Sequence, residues 1–322
     1  MLKAFVIRNR AILQSSAGLL IIFVVATLLS PTDHRTGDTL FLKASNLTNM
    51  LRVTAPVAII ALGMTLVILT AGIDLSVGST LALSSVITAV GLSQWNFPIA
   101  VVIGIAMLAG GVVGLLNGTL IAILRVQPFV ITLASMIGIR GFTRSLSNNE
   151  NIGLHTAGEQ AVWFVETFSQ KSMMIGIFAA LAILFSLILW GTVFGRYVRA
   201  LGDNPKASVY AGLPIKRVQV VVYAMTGLLA GLAGVLTCAR TTTGNPNDGI
   251  ASELDVIAVV VIGGTSLAGG RGSIIGTVIG ALIIAVLTNL LGLRNVDANS
   301  QLMLKAVIIV LAVIVQHRRV HH

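Results

Sequence analysis

The sequence predicts an all-α polytopic membrane protein of about ten transmembrane helices, on three observations. Hydrophobic residues make up 56% of the 322-residue chain and charged residues only 10%, where a soluble domain carries about 25% charged residues. Apolar runs recur along the whole length, separated by short polar or glycine-rich breaks. Most basic residues collect in those breaks. A soluble fold of this length could not withdraw so much apolar surface from water, so the main solvent must be lipid; the mean hydropathy of +0.96 agrees. Ten spans of about 20 residues consume most of the chain, which leaves one transmembrane domain over 1–322.

The runs are 11–30, 51–70, 79–92, 98–124, 128–146, 173–193, 218–238, 254–264, 273–293 and 302–316. Two of them, 79–92 and 254–264, are too short to cross a ~30 Å core as straight helices. They are expected to be broken or re-entrant, with their loose backbone groups buried in protein. The first run follows Lys3, Arg8 and Arg10 as in a signal peptide, but it is long enough to span and no A-x-A cleavage site follows, so a retained helix is expected.

Charge sets the orientation. The net charge of +10 would raise nucleic acid as a partner of a soluble protein; between apolar runs it reads as a topology signal. With ten spans and a cytoplasmic N-terminus, the inner side receives Lys3, Arg8, Arg10, Arg125, Arg196, Arg199, Lys206, Lys216, Arg217, Arg271, Arg318 and Arg319, against the acids Asp74 and Asp203 alone. Both termini are then cytoplasmic.

Two five-helix halves, approximately 11–146 and 173–316, are suggested by recurring markers. Met64-Thr65 returns as Met225-Thr226, and Gly114-x3-Gly118 as Gly276-x3-Gly280. An odd number of crossings would invert the second half relative to the first.

Three segments between the runs carry the mechanism. In the cytoplasmic stretch 195–217, Asn204 suits an N-cap, Pro205 the first helical position and Gly212 the left-handed residue that closes a helix. Pro214 blocks continuation. A helix so short needs something to pack against: either the ends of its own bundle or a cleft on a cytoplasmic partner, with Ala207, Val209, Tyr210 and Ala211 among the contacts. The second segment is Gly72–Ser79, with Asp74, Ser76 and Gly78. A membrane acid is costly and usually paired or functional; Asp74 could cap the next helix or serve gating, and the two are compatible. The third is Val259–Thr277, where Gly263, Gly264, Gly269, Gly270 and Gly272 permit tight turns and close helix approach. A phosphate-cradling G-x-x-x-x-G-K-[ST] loop is absent, so ATP hydrolysis is not expected of this chain.

Other residues are read more plainly. Asn117 lies mid-span, where it could contact a polar substrate or a neighbouring helix. Arg140 and Arg144, one turn apart near an outer helix end, are expected to snorkel to headgroups. Trp95 and Phe97 mark one interface, Trp190 and Tyr197 the other. The stretch Thr156–Gln170 mixes apolar and acidic residues and is expected to lie along the outer interface. Cys238 fills an apolar position, and His34, His155, His317, His321 and His322 are too scattered for a metal site.

Taken together, GMTLVILTAGIDLSVGS from Gly63, ALGDN…AGL from Ala200 and VVIGGTSLAGGRGSIIGT from Val260 resemble the permease subunits of ribose-type carbohydrate ABC importers, a group that includes the autoinducer-2 permeases. The resemblance covers nearly the whole chain in order and spacing. It implies a bacterial inner-membrane subunit that pairs with a second copy or a sister permease. It also implies a periplasmic solute-binding protein and a cytoplasmic ABC ATPase that binds ATP-Mg, leaving this chain without a cofactor. Asn204 to Gly212 would be the coupling helix received by that ATPase. Asp203 and Lys206 depart from the glycine and small residue usual in the family, which bears on which ATPase matches. The competing readings are an ion-coupled secondary transporter of inverted 5+5 design and an ABC permease for branched-chain amino acids.

Overall fold

The computed structural model describes residues 10–33, 37–155 and 157–317. Lys3, Arg8, His34, Thr156, Arg318, Arg319, His321 and His322, used above, lie outside the described residues. The order of elements is α1 (Arg10–Leu29), α2 (Ala44–Leu69), α3 (Val77–Ser93), α4 (Ile99–Leu124), α5 (Pro128–Leu146), β1 (Ile152–Gly153), α6 (Gly158–Phe168), α7 (Lys171–Gly191), α8 (Val193–Asp203), α9 (Pro205–Tyr210), α10 (Ile215–Thr241), β2 (Thr243–Gly244), α11 (Ser252–Ile262), α12 (Ile274–Leu293) and α13 (Ala298–His317). Every apolar run read from the sequence coincides with one of these helices. Among the described residues seven are long and apolar enough to cross a membrane: α1, α2, α4, α5, α7, α10 and α12; α3 is a shorter apolar helix. The protein is therefore polytopic and α-helical.

Burial divides the helices by role. From Ala58 to Leu69, α2 is enclosed throughout, and α10 is nearly so from Thr226 to Ala239, whereas α1, α5 and α7 turn many of their apolar side chains outward. A central helix wrapped by lipid-facing ones is what a lipid solvent allows, because exposed leucine costs nothing there. Lipid also gives no hydrophobic drive for helices to associate, so close backbone packing must hold them. Gly110, Gly114 and Gly118 of α4 lie against the backbone of α10, where Gly227 and Gly231 return the contact; a Cβ at Gly118 would stand 2.8 Å from Val220 Cα.

The repeat markers do not occupy matching places. Thr65 lies near the end of α2, its Oγ1 2.6 Å from Thr277 Oγ1 of α12; Thr226 lies in the first half of α10, against Gly63. Gly114 and Gly118 pack on α10, but Gly276 and Gly280 pack on α11. What recurs is the set of neighbours: α3 packs on α4, α5 and α10, and α11 on α12, α13 and α2. The α8–α9 insert lengthens one connection without a counterpart, so no fixed offset registers both sets.

Of the two short runs, 79–92 is neither broken nor re-entrant but one continuous helix of 17 residues, α3, whereas 254–264 is half a span. The eleven residues of α11 rise about 16 Å, half of a ~30 Å core. The remaining depth is covered by non-helical chain running in beside α3: Gly244 lies against Ala89 and Val86, and Gly249 against Gly78. A two-residue antiparallel ladder, Ile152↔Gly244 and Gly153↔Thr243, anchors the mouth of this re-entrant stretch.

Candidate coupling and gating site

The α9 segment is a rigid capped turn. Asn204 Oδ1 accepts a hydrogen bond from Ala207 N at 2.9 Å, and Pro205 occupies the first turn. At the other end Leu213 N donates to Ser208 O (3.1 Å) and Gly212 N to Val209 O (3.0 Å), the paired bonds of a Schellman motif, with Gly212 at φ +72°. The helix proper is Pro205–Tyr210, six residues, with Ala211 as its C-cap. It leans on α8 through buried Ser208, whose Oγ donates to Ala200 O at 2.9 Å. Val209 and Tyr210 face away, 62% and 91% exposed. An aromatic ring so bare has no packing role within this chain.

The other two sequence segments meet this one behind α9. Gly270 N donates to Leu69 O, the last residue of α2, at 3.0 Å. Gly202 of α8 is wedged between those same two backbones, and any Cβ there would collide with Leu69 O and Gly270 N. Gly270, at φ +72°, would in turn strike Asp203 if it bore a side chain, and Gly269 lies against Ala71 and Gly202 O. Gly264 closes α11, donating to Val261 O at 2.9 Å. Gly263 meets Gly276 of α12 backbone to backbone, and Gly272 packs on the Thr265 side chain. The three motifs, some 200 residues apart at the extremes, thus form one joint between α2, α8 and the α11–α12 turn.

Asp74 is buried in the stretch joining α2 and α3, and does not cap α3. Its Oδ1 accepts from Ser76 N (2.9 Å) and Ser76 Oγ (2.6 Å), one residue short of the first helical position. Ser76 Oγ accepts from Asn117 Nδ2 at 2.9 Å, and Asn117 Oδ1 accepts from Ser135 Oγ. Donors point one way along this chain, from α5 through α4 to the carboxylate. Burial nevertheless pushes the Asp74 carboxyl up to about 6, the two Ser76 bonds opposing the rise. Asn117 is fully enclosed, its side chain committed to tying α4 to α5 and to the Asp74 turn.

A second polar cluster was not legible in the sequence. Ser85 Oγ donates to Asp248 Oδ2 at 2.8 Å. Arg140 Nη1 donates to Pro246 O (2.7 Å) and Asp248 O (2.6 Å), and Arg144 Nη2 to Asn247 Oδ1 at 2.9 Å. These arginines do not snorkel. Non-helical backbone at membrane depth leaves carbonyls without partners, and Arg140 satisfies two of them. Lys305 of α13 pairs with Asp255 in the first turn of α11 at 3.0 Å, so α11 is tied there as well. Residues 245–251 fall between the apolar runs 218–238 and 254–264 and carry no reading of their own in the sequence; the signal that could have placed them is the basic pair one turn apart on α5.

Comparison with known proteins bears on this architecture. The family described as branched-chain amino acid transport system / permease component matches residues 46–313. The ribose import permease protein of Escherichia coli (strain K12) is 40% identical over 311 residues, 95% of this chain and 94% of that protein. The chain belongs to the ribose-type permease family. Two further permeases are similar in extent. The ribose import permease protein of Bacillus subtilis (strain 168) is 39% identical over 308 residues, covering 94% and 91% of the two chains. The xylose transport system permease protein of Haemophilus influenzae (strain ATCC 51907 / DSM 11121 / KW20 / Rd) is 32% identical over 336 residues, covering 86% and 90%. No solved structure matches. All three motif segments of this ribose-type permease lie within the family match, as does the re-entrant stretch.

Proposed function

We propose that this permease is the membrane-spanning subunit of a bacterial ABC importer, moving a sugar or sugar-like solute across the inner membrane by alternating access. The similarity to permeases named for ribose and xylose favours a sugar over a branched-chain amino acid. Force enters at α9, with Val209 and Tyr210 seated in a separate cytoplasmic ABC ATPase that binds and hydrolyses ATP-Mg. The single observation that carries this is a capped helix, bare on its outer face, welded by Gly202 and Gly270 to the end of the buried helix α2. A push on α9 therefore reaches the core of the bundle and does not dissipate in a loop.

Orientation follows from charge. Arg196, Arg199, Lys206, Lys216, Arg217 and Arg271 share the α8–α9 end with the acids Asp74 and Asp203, which fits a cytoplasmic face under the positive-inside rule. The β1–β2 end would then receive a periplasmic solute-binding protein, and a second permease copy or a sister permease would complete the pathway. Two inverted halves, α1–α5 and α7 with α10–α13, are consistent with the recurring neighbours of α3 and α11.

Uptake by proteoliposomes holding the permease, its ATPase and its binding protein tests the reading. Accumulation should require ATP and persist when an uncoupler collapses ion gradients. Uptake that survives ATP depletion but fails with the uncoupler would refute it. Supplying one sugar at a time, with amino acids as controls, identifies the solute.

A further inference from the structure

We propose that the junction of α7 and α8 binds one anionic phospholipid, its headgroup held by Arg199 and Arg196 and an acyl chain lying in the groove between α7 and α12. The inference rests on α7 being a spanning helix and is independent of the ATPase reading.

The junction is built to hold a guanidinium at the membrane boundary. Helix α7 ends at Gly191, Thr192 Oγ1 accepts from Gly195 N at 3.2 Å, and Gly195 sits so close to Leu189 O that no side chain would fit. The chain therefore folds sharply, and α8 starts directly over the end of α7, burying Val198 and Leu201 on one side. Across the fold, Arg199 Cζ stands 4.1 Å from the centroid of the Trp190 ring. That ring, in the last turn of α7, is 58% exposed. The indole face attracts the cation but offers no acceptor to its N–H groups.

An acceptor is what the site lacks. Arg199 Nη2 is buried and has no hydrogen-bond partner among the described residues, a costly arrangement for a charged donor. Neither ion pair among the described residues, Lys43–Asp33 or Lys305–Asp255, involves it. Burial lowers the Arg199 pKa, with no acid opposing the shift. Arg196, exposed and one turn away on α8, adds a second positive charge on the neighbouring position. A planar, forked cation of this kind matches phosphate oxygens in pairs.

The apolar half of the ligand has a place directly beneath. A groove of about 290 Å³ runs between α7 and α12, lined by Ala182, Ile183, Ser186, Leu187, Ile275 and Val278. Leu187 lies three residues before Trp190, about 4.5 Å deeper along the helix. A phosphate on Arg199 would thus place its acyl chain at the mouth of this groove. Free inorganic phosphate would use the guanidinium but not the groove.

Native mass spectrometry of the full chain, released from bilayers of equal phosphatidylglycerol and phosphatidylcholine, reads the site directly. Wild type should retain one phosphatidylglycerol about 25-fold over phosphatidylcholine, the preference expected of two basic residues at about fivefold each near a membrane surface. Arg199→Gln should cut that ratio about fivefold, by removal of one such charge with Arg196 left in place. Millimolar inorganic phosphate should leave the wild-type ratio unchanged. An unchanged ratio in R199Q overturns the proposal, and erasure of the preference by phosphate alone assigns the site to a free anion and overturns the lipid. If R199Q does not survive extraction, Ser186→Trp, which fills the groove without touching the guanidinium, should lose the retained lipid; retention in that variant also overturns it.

Discussion

Two stretches of this permease leave the helical bundle, and they are stabilised in opposite ways. At one end, α9 is closed on itself by Asn204 and Gly212 and presents Val209 and Tyr210 outward. At the other, residues 245–251 have little regular structure of their own and are held inward by Arg140, Arg144 and Ser85. The difference follows from solvent. Water can satisfy the ends of a six-residue helix, so local caps suffice; at membrane depth every free carbonyl needs a protein donor, so side chains from other helices must supply it. A self-contained element can move as a body and meet a partner. A tied one can move only when its ties break.

Substitutions can break this contrast, beginning with the joint that links α9 to the bundle. Gly202→Val places side-chain atoms against the backbones of Leu69 and Gly270, neither of which can yield. The cost should exceed the ~1–3 kcal/mol of ordinary overpacking, and size-exclusion chromatography should recover no monodisperse protein. Arg140→Met removes the guanidinium nitrogen, Nη1, that donates to both re-entrant carbonyls. It should cost about 3–5 kcal/mol, read as a large fall in melting temperature in detergent, with Arg144→Ala costing much less. If Arg140→Met melts like wild type, the claim that 245–251 depends on its ties is wrong.

Asp74→Asn sharpens the comparison through pH. The folded carboxyl is raised from 3.8 to about 6. A raised acid favours the folded state fully below its unfolded value and loses that stabilisation as pH climbs through its folded value. Asparagine keeps the Oδ1 acceptor for Ser76 without the charge. The variant should therefore gain on wild type between about pH 4 and pH 6 and hold that gain above, by about 2–3 kcal/mol. A pH-independent difference between the two melting curves would place the cost of Asp74 elsewhere.

The smallest effects on stability should come from α9. Asn204→Ala removes one cap, worth about 1 kcal/mol, and Tyr210→Ala touches almost nothing in this chain. Together they should leave the melting temperature within a few degrees of wild type yet release the ATPase in co-purification. Unchanged association and unchanged coupled ATPase activity would remove α9 from the coupling role.

Much of this architecture is readable in the sequence, for reasons that can be traced to particular residues. Apolar runs locate ten of the thirteen described helices because lipid forces hydrophobicity on every exposed turn. Asn204, Pro205, Gly212 and Pro214 locate α9 because caps are local chemistry between residues a few positions apart. Less was visible where a residue is used at long range. Arg140 looked like a snorkelling side chain because nothing in its neighbourhood announces Pro246 and Asp248. Asp74 looked like a helix cap because the acceptor chain through Asn117 and Ser135 draws on two other helices. Helix α8 was read only as part of the cytoplasmic stretch 195–217; its Gly202 is required by the backbones of Leu69 and Gly270, which no local pattern announces.

By itself, then, the sequence determined the solvent, the class of fold, the positions of the apolar elements and the local form of α9, since composition and short-range capping decide each of these. Only tertiary structure decided that Leu69, Gly202 and Gly270 share one joint, that Asn117 serves Ser76, and that 245–251 runs into the bundle on the donors of Arg140. Those depend on which backbones approach closely enough to exclude a Cβ and which carbonyls are left for a distant arginine, and neither is encoded within any single segment.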